Sequence, residues 1–326
     1  MIHSRITGTG SYAPRKVVTN DDLARTVDTT DEWITERTGI KERRIADKGQ
    51  TTSDLAAEAG QKALKAAGLE AKDLDLIIVA TTTPDTIMPS LGCVLQDRLR
   101  AKKAAAFDIT AACSGFLYGL SVADAFIRSG TYENVLVVGA EILSRFVDWE
   151  DRTTCVLFGD GAGAVVMQRH AGKRGVLSTH LHSDGSLGNI LCVPGGGAVH
   201  PPSHDTVHKR MHFIKMKGNE TFKVAVRALE NVVQEALKYN KVRPEEIDLL
   251  IPHQANLRII QAMAERLAMP MEKVVVTLQK YGNTSAASIP MALDEAVRSG
   301  RVKDNDLILF EAFGGGLTWA SALVRW

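Results

Sequence analysis

The sequence is poor in the features that mark secreted, membrane and nucleic-acid-coating proteins. It has four cysteines in 326 residues and no C-x-x-C pair, so we expect a cytoplasmic protein without a disulfide framework. No apolar run approaches the roughly 18 to 20 residues of a membrane span, and the opening MIHSRITGTG lacks the apolar core of a secretory signal. Lys and Arg total 39 and Asp and Glu total 38, which leaves a formal net charge of +1. This balance argues against a protein that coats nucleic acid and against a disordered acidic tail.

The residues that are present are typical of a globular enzyme in which helices and strands alternate. Apolar residues make up 45% and charged residues 24%, and the length corresponds to about two domains of roughly 150 residues. The apolar periodicity predicts a helix over 53–68 that begins at a capping Ser53, and a later helix that ends near Ser129. Continuous apolar runs predict strands buried on both faces at 74–81, 104–109 and 135–140. This alternation predicts a layered α/β fold.

Segments of the first half recur in the second half in the same order. ALKAAGLEAKDLDLI at 63–77 aligns without gaps with ALKYNKVRPEEIDLL at 236–250, at an offset of 236 − 63 = 173 residues. Two shorter pairs are AFIRSG (125–130) with AVRSG (296–300), at an offset of 300 − 130 = 170, and ENVLVV (133–138) with NDLILF (305–310). Chance similarity between α/β segments is the alternative, but three matches in one order favour duplication. We therefore expect one compact unit of two similar halves, 1–172 and 173–326.

The repeat predicts which polar residues meet. Adding the offset of 170 to position 113 gives position 283, so the repeat pairs Cys113 with Asn283. Both residues lie just before a predicted helix. The offset of 173 carries the end of the strand near residue 80 to His253. Because ligands of α/β sheets bind at the carboxyl ends of strands, we expect a central site that contains these three side chains.

Cys113 has the surroundings of a reactive thiol. It lies in A-A-C-S-G-F, where small neighbours leave room for a substrate and a helix begins. The free N–H groups and partial positive charge of a helix N-terminus lower a thiol pKa, so we expect thiolate near neutral pH. The other cysteines, Cys93, Cys155 and Cys192, are interpreted as inert residues.

The partners of Cys113 each admit a second interpretation. His253 is a candidate hydrogen-bond donor or base, although a structural histidine is the alternative. Asn283, within G-N-T-S, also fits a turn or a helix cap. The segment FGGGLTW at 313–319 fits either backbone N–H groups that bind an oxyanion or a tight turn between two strands.

Six segments together resemble the β-ketoacyl-acyl carrier protein synthase III family, condensing enzymes of the thiolase superfamily. They are ITAACSGF (109–116), IPHQAN (251–256), YGNTSAAS (281–288), FGGGLTW (313–319), TVDTTDEWITERTGIKERR (26–44) and FGDGAGA (158–164). The resemblance extends essentially from end to end. It implies a thiolase-like five-layered α-β-α-β-α fold built from two similar halves, a homodimer, and no metal or redox cofactor.

The resemblance also implies a two-stage reaction that initiates type II fatty acid synthesis. Cys113 would accept an acyl group from acyl-CoA. A decarboxylative Claisen condensation with malonyl-acyl carrier protein would then give 3-oxoacyl-acyl carrier protein and CO2. His253 and Asn283 would donate hydrogen bonds to the enolate oxygen, and the backbone N–H groups of Cys113 and Gly316 would bind the second oxyanion.

Binding residues carry over from the family motifs in the same way. Trp33 and Arg152 match the pair that sandwiches the adenine of CoA, and Arg37 matches a phosphate ligand. Gly218 and Asn256 match positions along the pantetheine tunnel. The segment Gln254, Ala255, Asn256, Leu257 and Arg258 matches the carrier-protein docking segment, and Arg258 is the expected contact to an acidic partner helix. Met88, within TTTPDTIMPS (81–90), would close the acyl pocket of the neighbouring subunit.

Three other functions are compatible with parts of the sequence. A secondary-metabolite synthase of the same superfamily would differ in its starter acyl group. A cysteine thioester hydrolase would need a carboxylate that orients His253 as a general base. A binding subunit without catalysis is disfavoured by the intact Cys, His and Asn. The four-residue recurrence of histidines in 200–212 is interrupted by Pro201 and Pro202, so we expect no metal site there.

Overall fold

Two large β-sheets, two small two-stranded sheets and the helices packed on them make up the computed structural model, which describes residues 2–326. The strands are β1 (Ile2–Tyr12), β2 (Lys16–Thr19), β3 (Glu42–Ile45), β4 (Leu76–Ala80), β5 (Ala105–Ile109), β6 (Asn134–Ile142), β7 (Asp160–Ala171), β8 (Gly175–Ser183), β9 (Leu191–Cys192), β10 (Lys215–Met216), β11 (Leu249–Pro252), β12 (Leu307–Gly314) and β13 (Thr318–Arg325). The α-helices are α1 (Asn20–Ala24), α2 (Asp31–Thr38), α3 (Thr52–Ala67), α4 (Leu91–Leu99), α5 (Gly115–Arg128), α6 (Arg152–Cys155), α7 (His204–His208), α8 (Gly218–Asn240), α9 (Leu257–Arg266), α10 (Leu278–Tyr281) and α11 (Ser288–Arg298). Short 3-10 turns at Ala112–Ser114 and Ser285–Ala287 lead into α5 and α11.

Each large sheet is built from one part of the chain. The first has the order β1-β7-β6-β4-β5, with β4 parallel to β5 and β6, and its strands lie between residues 2 and 171. The second has the order β11-β12-β13-β8, with β11 parallel to β12, and its strands lie between residues 175 and 325. The division of the chain at 172/173 into two halves stays a prediction about domain organisation.

The helices form three layers around the two sheets. Leu117 of α5 and Leu293 of α11 lie in one apolar core with strand residues of both sheets, so these two helices fill the space between the sheets. Helices α3 and α4 cover the outer face of the first sheet, and α8 and α9 cover that of the second. The layer order is therefore α-β-α-β-α, which confirms the predicted fold class. No helix within residues 2–326 has both the length and the apolarity that crossing a bilayer requires.

The structure corrects the register of the repeat around the site. Strands β6 and β12 begin 307 − 134 = 173 residues apart, and helices α5 and α11 begin 288 − 115 = 173 apart. The ends of these helices are only 298 − 128 = 170 apart, because α11 has 11 residues and α5 has 14. The offset of 170 therefore applies to helix ends, and the position equivalent to Cys113 is Ala286 rather than Asn283. Asn283 reaches the site because its loop and that of Cys113 both lead into the central helices.

The predicted elements are present, with shifted ends. The helix predicted at 53–68 is α3, and its N-cap is Thr51 rather than Ser53, because the Thr51 hydroxyl accepts the Asp54 N–H while the Asp54 carboxylate accepts the Thr51 N–H. The predicted strands are β4, β5 and β6, but only β4 and β6 are buried on both faces, because β5 lies at the edge of the sheet and is only partly buried. The helix expected to end near Ser129 is α5, which ends at Arg128.

Candidate active site

One cavity of about 420 Å³ joins most of the side chains selected from the sequence. Its inner end contains Cys113, His253 and Asn283, all of which are buried. Its mouth contains half-buried Trp33 beside exposed arginines. A cavity of this volume, with a polar mouth and buried polar and apolar side chains inside, is typical of a small-molecule site.

Cys113 lies in the 3-10 turn that connects β5 to α5. The residue before it, Ala112, has φ +46°, a left-handed conformation that non-glycine residues adopt at a cost. Burial raises the pKa of the Cys113 thiol to about 12, although a hydrogen bond with the Ser285 side chain acts in the opposite direction. The expectation of thiolate near neutral pH is therefore wrong for the free enzyme, since desolvation outweighs the helix N-terminus.

His253 follows β11 directly and is fixed on two sides. Its backbone N–H donates to the carbonyl of Glu311 at 2.8 Å, and its ring Nδ1 lies 2.7 Å from the Ser288 hydroxyl. The Gln254 N–H donates to the same hydroxyl oxygen at 3.4 Å, which leaves the Ser288 hydrogen to be donated to Nδ1. This network favours the tautomer with its proton on Nε2. Burial lowers the pKa of His253 to about 3, so the ring is neutral at physiological pH.

Asn283 has an amide whose orientation is set by its neighbour. The Oδ1 atom accepts the Ser285 N–H at 2.8 Å. Its own backbone joins the segment before β7, because Asn283 N–H donates to Leu157 O at 2.8 Å and Gly159 N–H donates to Asn283 O at 3.0 Å. With Oδ1 engaged, the NH₂ group is the part of the side chain that can serve a ligand in the cavity.

The glycine-rich segment is a turn and also lies against the cysteine. It connects β12 to β13, which confirms the interpretation as a tight turn. A Cβ on Gly314 would lie 2.6 Å from the Cys113 backbone N, so only glycine permits this approach. The Gly316 N–H, two residues after Gly314, has no backbone acceptor among residues 2–326.

Three cationic and aromatic side chains stack at the mouth. The guanidinium carbons of Arg37 and Arg152 lie 4.4 Å and 4.9 Å from the centre of the Trp33 ring. Arg152 is also held by the Asp28 carbonyl at 2.6 Å. Gly218 lines the same cavity, and its place along a pantetheine tunnel stays a prediction.

The predicted docking segment divides into a buried part and an exposed part. Asn256 lines the cavity, caps α9 by accepting the Arg258 N–H at 2.8 Å, and donates to the Arg37 carbonyl at 3.0 Å. Arg258 is exposed on the first turn of α9, next to half-buried Leu257, and its Nε donates to the Glu36 carbonyl at 3.2 Å.

The buried side chain of Gln254 contradicts the expectation that this residue contacts a carrier protein. It is 1% exposed, donates to Pro252 O at 2.8 Å and Val275 O at 3.0 Å, and accepts the Thr277 N–H at 2.7 Å. It therefore clamps the loop after β11 internally and offers no contact to a partner. Ala255 is half-buried and lines the cavity.

Four predicted residues do not line the cavity within the described chain: Met88, Gly316, Gln254 and Leu257. Met88 is 84% exposed and is not among the lining residues, so a single chain does not bring it to the site. Gly316 approaches through its backbone in the turn and does not line the cavity.

Sequence reasoning missed four polar residues around the site: Glu141, Ser285, Ser288 and Glu311. Each glutamate is the one charged residue in an apolar strand, a pattern that indicates a buried and therefore notable carboxyl group. Glu311 lines the cavity, and its Oε2 has no hydrogen-bond partner among the described residues. Burial raises the pKa of Glu311 to about 8, so it is mainly protonated at neutral pH.

Fold and site together define a condensing enzyme of thiolase-like architecture, with a Cys, a His and an Asn at one cavity. Two family models match the chain. The model described as 3-oxoacyl-[acyl-carrier-protein (ACP)] synthase III covers residues 107–185, and the model of its C-terminal part covers residues 237–326.

Individual relatives extend the match over the whole chain. β-Ketoacyl-[acyl-carrier-protein] synthase III of Thioalkalivibrio sulfidiphilus (strain HL-EbGR7) is 58% identical over 325 residues, which are 100% of both chains. The crystal structure of 3-oxoacyl-[acyl-carrier-protein] synthase III from Aquifex aeolicus VF5 has 55% identity and a TM-score of 0.92, and the match covers 99% of this chain and 100% of that one. The priming β-ketosynthase from the R1128 polyketide biosynthetic pathway has 36% identity and a TM-score of 0.91, with 99% and 96% covered. The chain belongs to the 3-oxoacyl-[acyl-carrier-protein] synthase III family and is an acyltransferase-type condensing enzyme, of the kind that initiates fatty acid synthesis.

Proposed function

We propose that this chain transfers an acyl group from acyl-CoA to Cys113 and condenses it with malonyl-acyl carrier protein, giving 3-oxoacyl-acyl carrier protein and CO2. One observation carries this proposal: a buried Cys, a neutral His and an oriented Asn share the inner end of a cavity whose mouth has a Trp ring in contact with two Arg residues. The mouth suits a nucleotide with phosphates, and the inner end suits a thioester.

In the first stage, the Cys113 sulfur attacks the acyl-CoA carbonyl. The new C–S bond forms to Cys113 and the C–S bond to CoA breaks, so that CoA leaves. The tetrahedral oxyanion is held by the N–H groups of Cys113 and Gly316, and the Gly316 N–H has no backbone acceptor among residues 2–326. The small turn residues around Cys113 leave the space that this geometry needs.

In the second stage, charge develops on the malonyl thioester oxygen as CO2 leaves. His253 Nε2–H and the Asn283 NH₂ group donate to that enolate oxygen, and the carbanion attacks the acyl-Cys113 carbonyl. Neutral donors in a desolvated cavity bind an enolate strongly, and each such donor typically contributes about 10²–10³ in rate. Because Glu311 is mainly protonated, it adds little negative charge that would oppose the malonyl carboxylate.

CoA binding requires a rearrangement at the mouth. A planar base between Trp33 and Arg152 needs two van der Waals layers, about 7 Å in total, whereas the guanidinium now lies 4.9 Å from the indole centre. Adenine therefore enters as Arg152 moves away from Trp33. Arg37, on the same helix as Trp33, remains available for a CoA phosphate.

The carrier protein and a second subunit complete the proposed assembly. Arg258 offers an exposed positive charge beside the mouth, which suits an acidic carrier helix. Ile87 and Met88 are 87% and 84% exposed, and β5 is a free edge of the first sheet, features that support a homodimer in which Met88 reaches the partner's acyl pocket. The four cysteines are all unpaired, which supports a cytoplasmic location.

The two rival functions are weighed by separate observations. The R1128 priming ketosynthase has the same fold at 36% identity, so a starter enzyme of secondary metabolism is the second candidate. A thioester hydrolase is disfavoured because Nδ1 of His253 contacts the Ser288 hydroxyl instead of a carboxylate, and because a ring with pKa of about 3 is a weak general base.

Mass spectrometry of the intact protein tests the proposal. The protein is mixed with acetyl-, isobutyryl- and octanoyl-CoA in turn, and we expect one acyl adduct that maps to Cys113 and is absent from Cys113→Ala. Cys93→Ser and Cys192→Ser are matched controls that should keep the adduct. A full adduct on Cys113→Ala, or acyl-CoA hydrolysis faster than acylated enzyme accumulates, would refute the assignment.

A further inference from the structure

A buried arginine lies behind the wall of the cavity and has no role in the steps above. Arg43, on β3, is fully buried and does not line the cavity. Its guanidinium group donates to the Val18 carbonyl at 3.2 Å, to Asn20 Oδ1 at 2.9 Å and to the Val156 carbonyl at 2.8 Å. One side chain therefore joins three segments that are far apart in the sequence.

The burial of this cation is costly. A guanidinium group loses much of its hydration energy when it leaves water, and a carboxylate partner would normally offset that loss. The three acceptors of Arg43 are neutral, and the adjacent Glu42 carboxylate pairs with Arg44 instead, at 3.1 Å. Burial lowers the pKa of Arg43 to about 10, so the side chain is still charged at neutral pH. An apolar side chain would avoid this cost, so what Arg43 supplies is its set of directed hydrogen bonds.

The bonds to Val18 and Asn20 give the guanidinium group a rigid base. Val18 lies directly opposite Arg43 in the β2–β3 ladder. Asn20 is 1% exposed, and its Nδ2 donates to the Ile40 carbonyl and to Asp31 Oδ1, both at 2.8 Å. The amide oxygen that accepts from Arg43 is therefore fixed, and the guanidinium group is held in place from this side.

The bond to Val156 reaches the segment against which Asn283 is paired. Val156 begins the stretch 156–159, which leads into β7. Within this stretch the Leu157 carbonyl accepts the Asn283 N–H at 2.8 Å, and the Gly159 N–H donates to the Asn283 carbonyl at 3.0 Å. The carbonyl that Arg43 holds is thus the neighbour of the carbonyl that holds Asn283.

Close packing strengthens this link. A Cβ on Gly159 would lie 3.2 Å from the Arg43 Cβ, and a Cβ on Gly282 would lie 3.4 Å from the same atom. Gly282 has φ +65° and directly precedes Asn283. Asn283 and residues 156–158 line the cavity, whereas Arg43 does not. Arg43 therefore supports, from behind, the part of the wall that presents the Asn283 amide.

We propose that Arg43 is a positioning residue for the condensation stage, which holds the NH₂ group of Asn283 in place for the enolate oxygen through the stretch 156–159. The inference rests on the function proposed above, and Arg43 acts through Asn283 without touching a substrate. A hydrogen-bond donor stabilises a developing charge best when it needs no rearrangement, and a misplacement of about 1 Å can cost about 10²-fold in rate. Loss of the Arg43 bonds should therefore slow the stage that uses the Asn283 donor.

A double-variant comparison tests whether Arg43 acts through Asn283. Arg43→Met removes all three bonds and keeps an unbranched side chain. It should slow CO2 release from malonyl-acyl carrier protein by about 10- to 10²-fold, while acylation by saturating acetyl-CoA falls less. In the Asn283→Ala background it should cause no further loss of CO2 release, because the donor that it positions is already gone. The same fold-loss in both backgrounds would indicate a general effect on the structure and would overturn the proposal.

A second measurement needs no activity. In a nitrogen–proton correlation spectrum of isotope-labelled protein, the side-chain NH₂ signals of Asn283 are those that disappear in Asn283→Asp. These signals should shift or broaden in Arg43→Met, because the backbone that carries the amide has lost its support. Unchanged Asn283 signals in folded Arg43→Met would overturn the positioning role.

Two further variants complete the test. Arg128→Met removes a guanidinium group that also joins distant segments, through the Val176 carbonyl at 2.6 Å, but lies at the far end of α5 from Cys113. It should leave CO2 release and the Asn283 signals unchanged. Arg43→Lys keeps the charge but has a single ammonium group in place of the planar guanidinium, so it should show the Arg43→Met pattern with a smaller loss. Thermal melts establish folding, and Arg43→Lys decides the matter if Arg43→Met does not fold.

The outcomes separate this inference from the proposed function. Normal CO2 release by folded Arg43 variants, together with its loss in Asn283→Ala, overturns the positioning role alone. Wild-type protein that releases no CO2 from malonyl-acyl carrier protein overturns the proposed function. The Asn283 signals then decide the role of Arg43 by themselves, since altered signals in Arg43→Met support it and unaltered signals overturn it.

Discussion

Asn283 offers the sharpest separation between a catalytic and a structural effect, because its two amide ends have different tasks. Oδ1 accepts the Ser285 N–H at 2.8 Å, and the NH₂ group is left for the enolate oxygen. Asn283→Ala removes both, whereas Asn283→Asp keeps an oxygen for the Ser285 N–H and replaces the donor by a second oxygen, which is negatively charged when the carboxyl group ionises.

The expected magnitudes follow from these two contacts. Losing one enolate donor should slow decarboxylation of malonyl-acyl carrier protein by about 10²–10³, equivalent to about 3–4 kcal/mol, in both variants. Asn283→Ala should also lose about 1–3 kcal/mol of stability, because the buried Ser285 N–H is left unpaired. Asn283→Asp should lose less stability while condensing no faster.

The assay measures the two stages separately on folded protein. CO2 release from malonyl-acyl carrier protein reports the second stage, acylation by acetyl-CoA reports the first, and urea unfolding reports stability. Acylation should fall less than CO2 release in both variants, since the enolate forms only in the second stage. Wild-type CO2 release by either folded variant would refute the assigned role of the Asn283 amide.

Three further predictions test the mouth, the partner surface and the buried histidine. Trp33→Ala should raise the KM for acyl-CoA at least tenfold and leave CO2 release from malonyl-acyl carrier protein nearly unchanged; equal losses would exclude a nucleotide contact. Arg258→Glu should weaken the carrier-protein stage, less so at high salt, while the control Arg169→Glu on β7 has no effect; equal loss with acyl-CoA would remove the docking role. The pKa of His253 is lowered to about 3, so the unfolded chain binds a proton that the folded chain does not as pH falls below about 6.5. Wild-type stability should therefore fall by up to about 1.4 kcal/mol per pH unit more steeply than that of His253→Gln between about pH 6 and 4, and parallel slopes would contradict a neutral buried ring.

Helix and strand patterns are local, so the sequence predicted a layered α/β fold with two similar halves. The carboxyl ends of strands lie at one edge of a sheet, so the sequence also predicted that Cys113 and His253 lie close together. It was insufficient for register at the helix ends. Helix α5 is three residues longer than α11, and local patterns did not show this difference. The offset taken from the helix ends therefore gave Asn283 as the wrong equivalent of Cys113.

Burial was the other property that local reasoning could not supply. Burial raises the pKa of the Cys113 thiol, and the segments that bury it are distant in the sequence, such as the turn at Gly314. Gln254 was expected at a surface because its segment resembles the family's docking segment, but its side chain turns inward and bonds Pro252 and the loop at Val275 and Thr277.

Transfer of one acyl group through Cys113 is the central claim, and a chase of isolated acyl-enzyme tests it most directly. Protein acylated by acetyl-CoA is freed of CoA and mixed with malonyl-acyl carrier protein. We predict that the acyl mass disappears from the Cys113 peptide as one equivalent each of CO2 and 3-oxoacyl-acyl carrier protein forms. Loss of the acyl group to water without new carrier-bound product, or product formation while the adduct persists, would contradict the account.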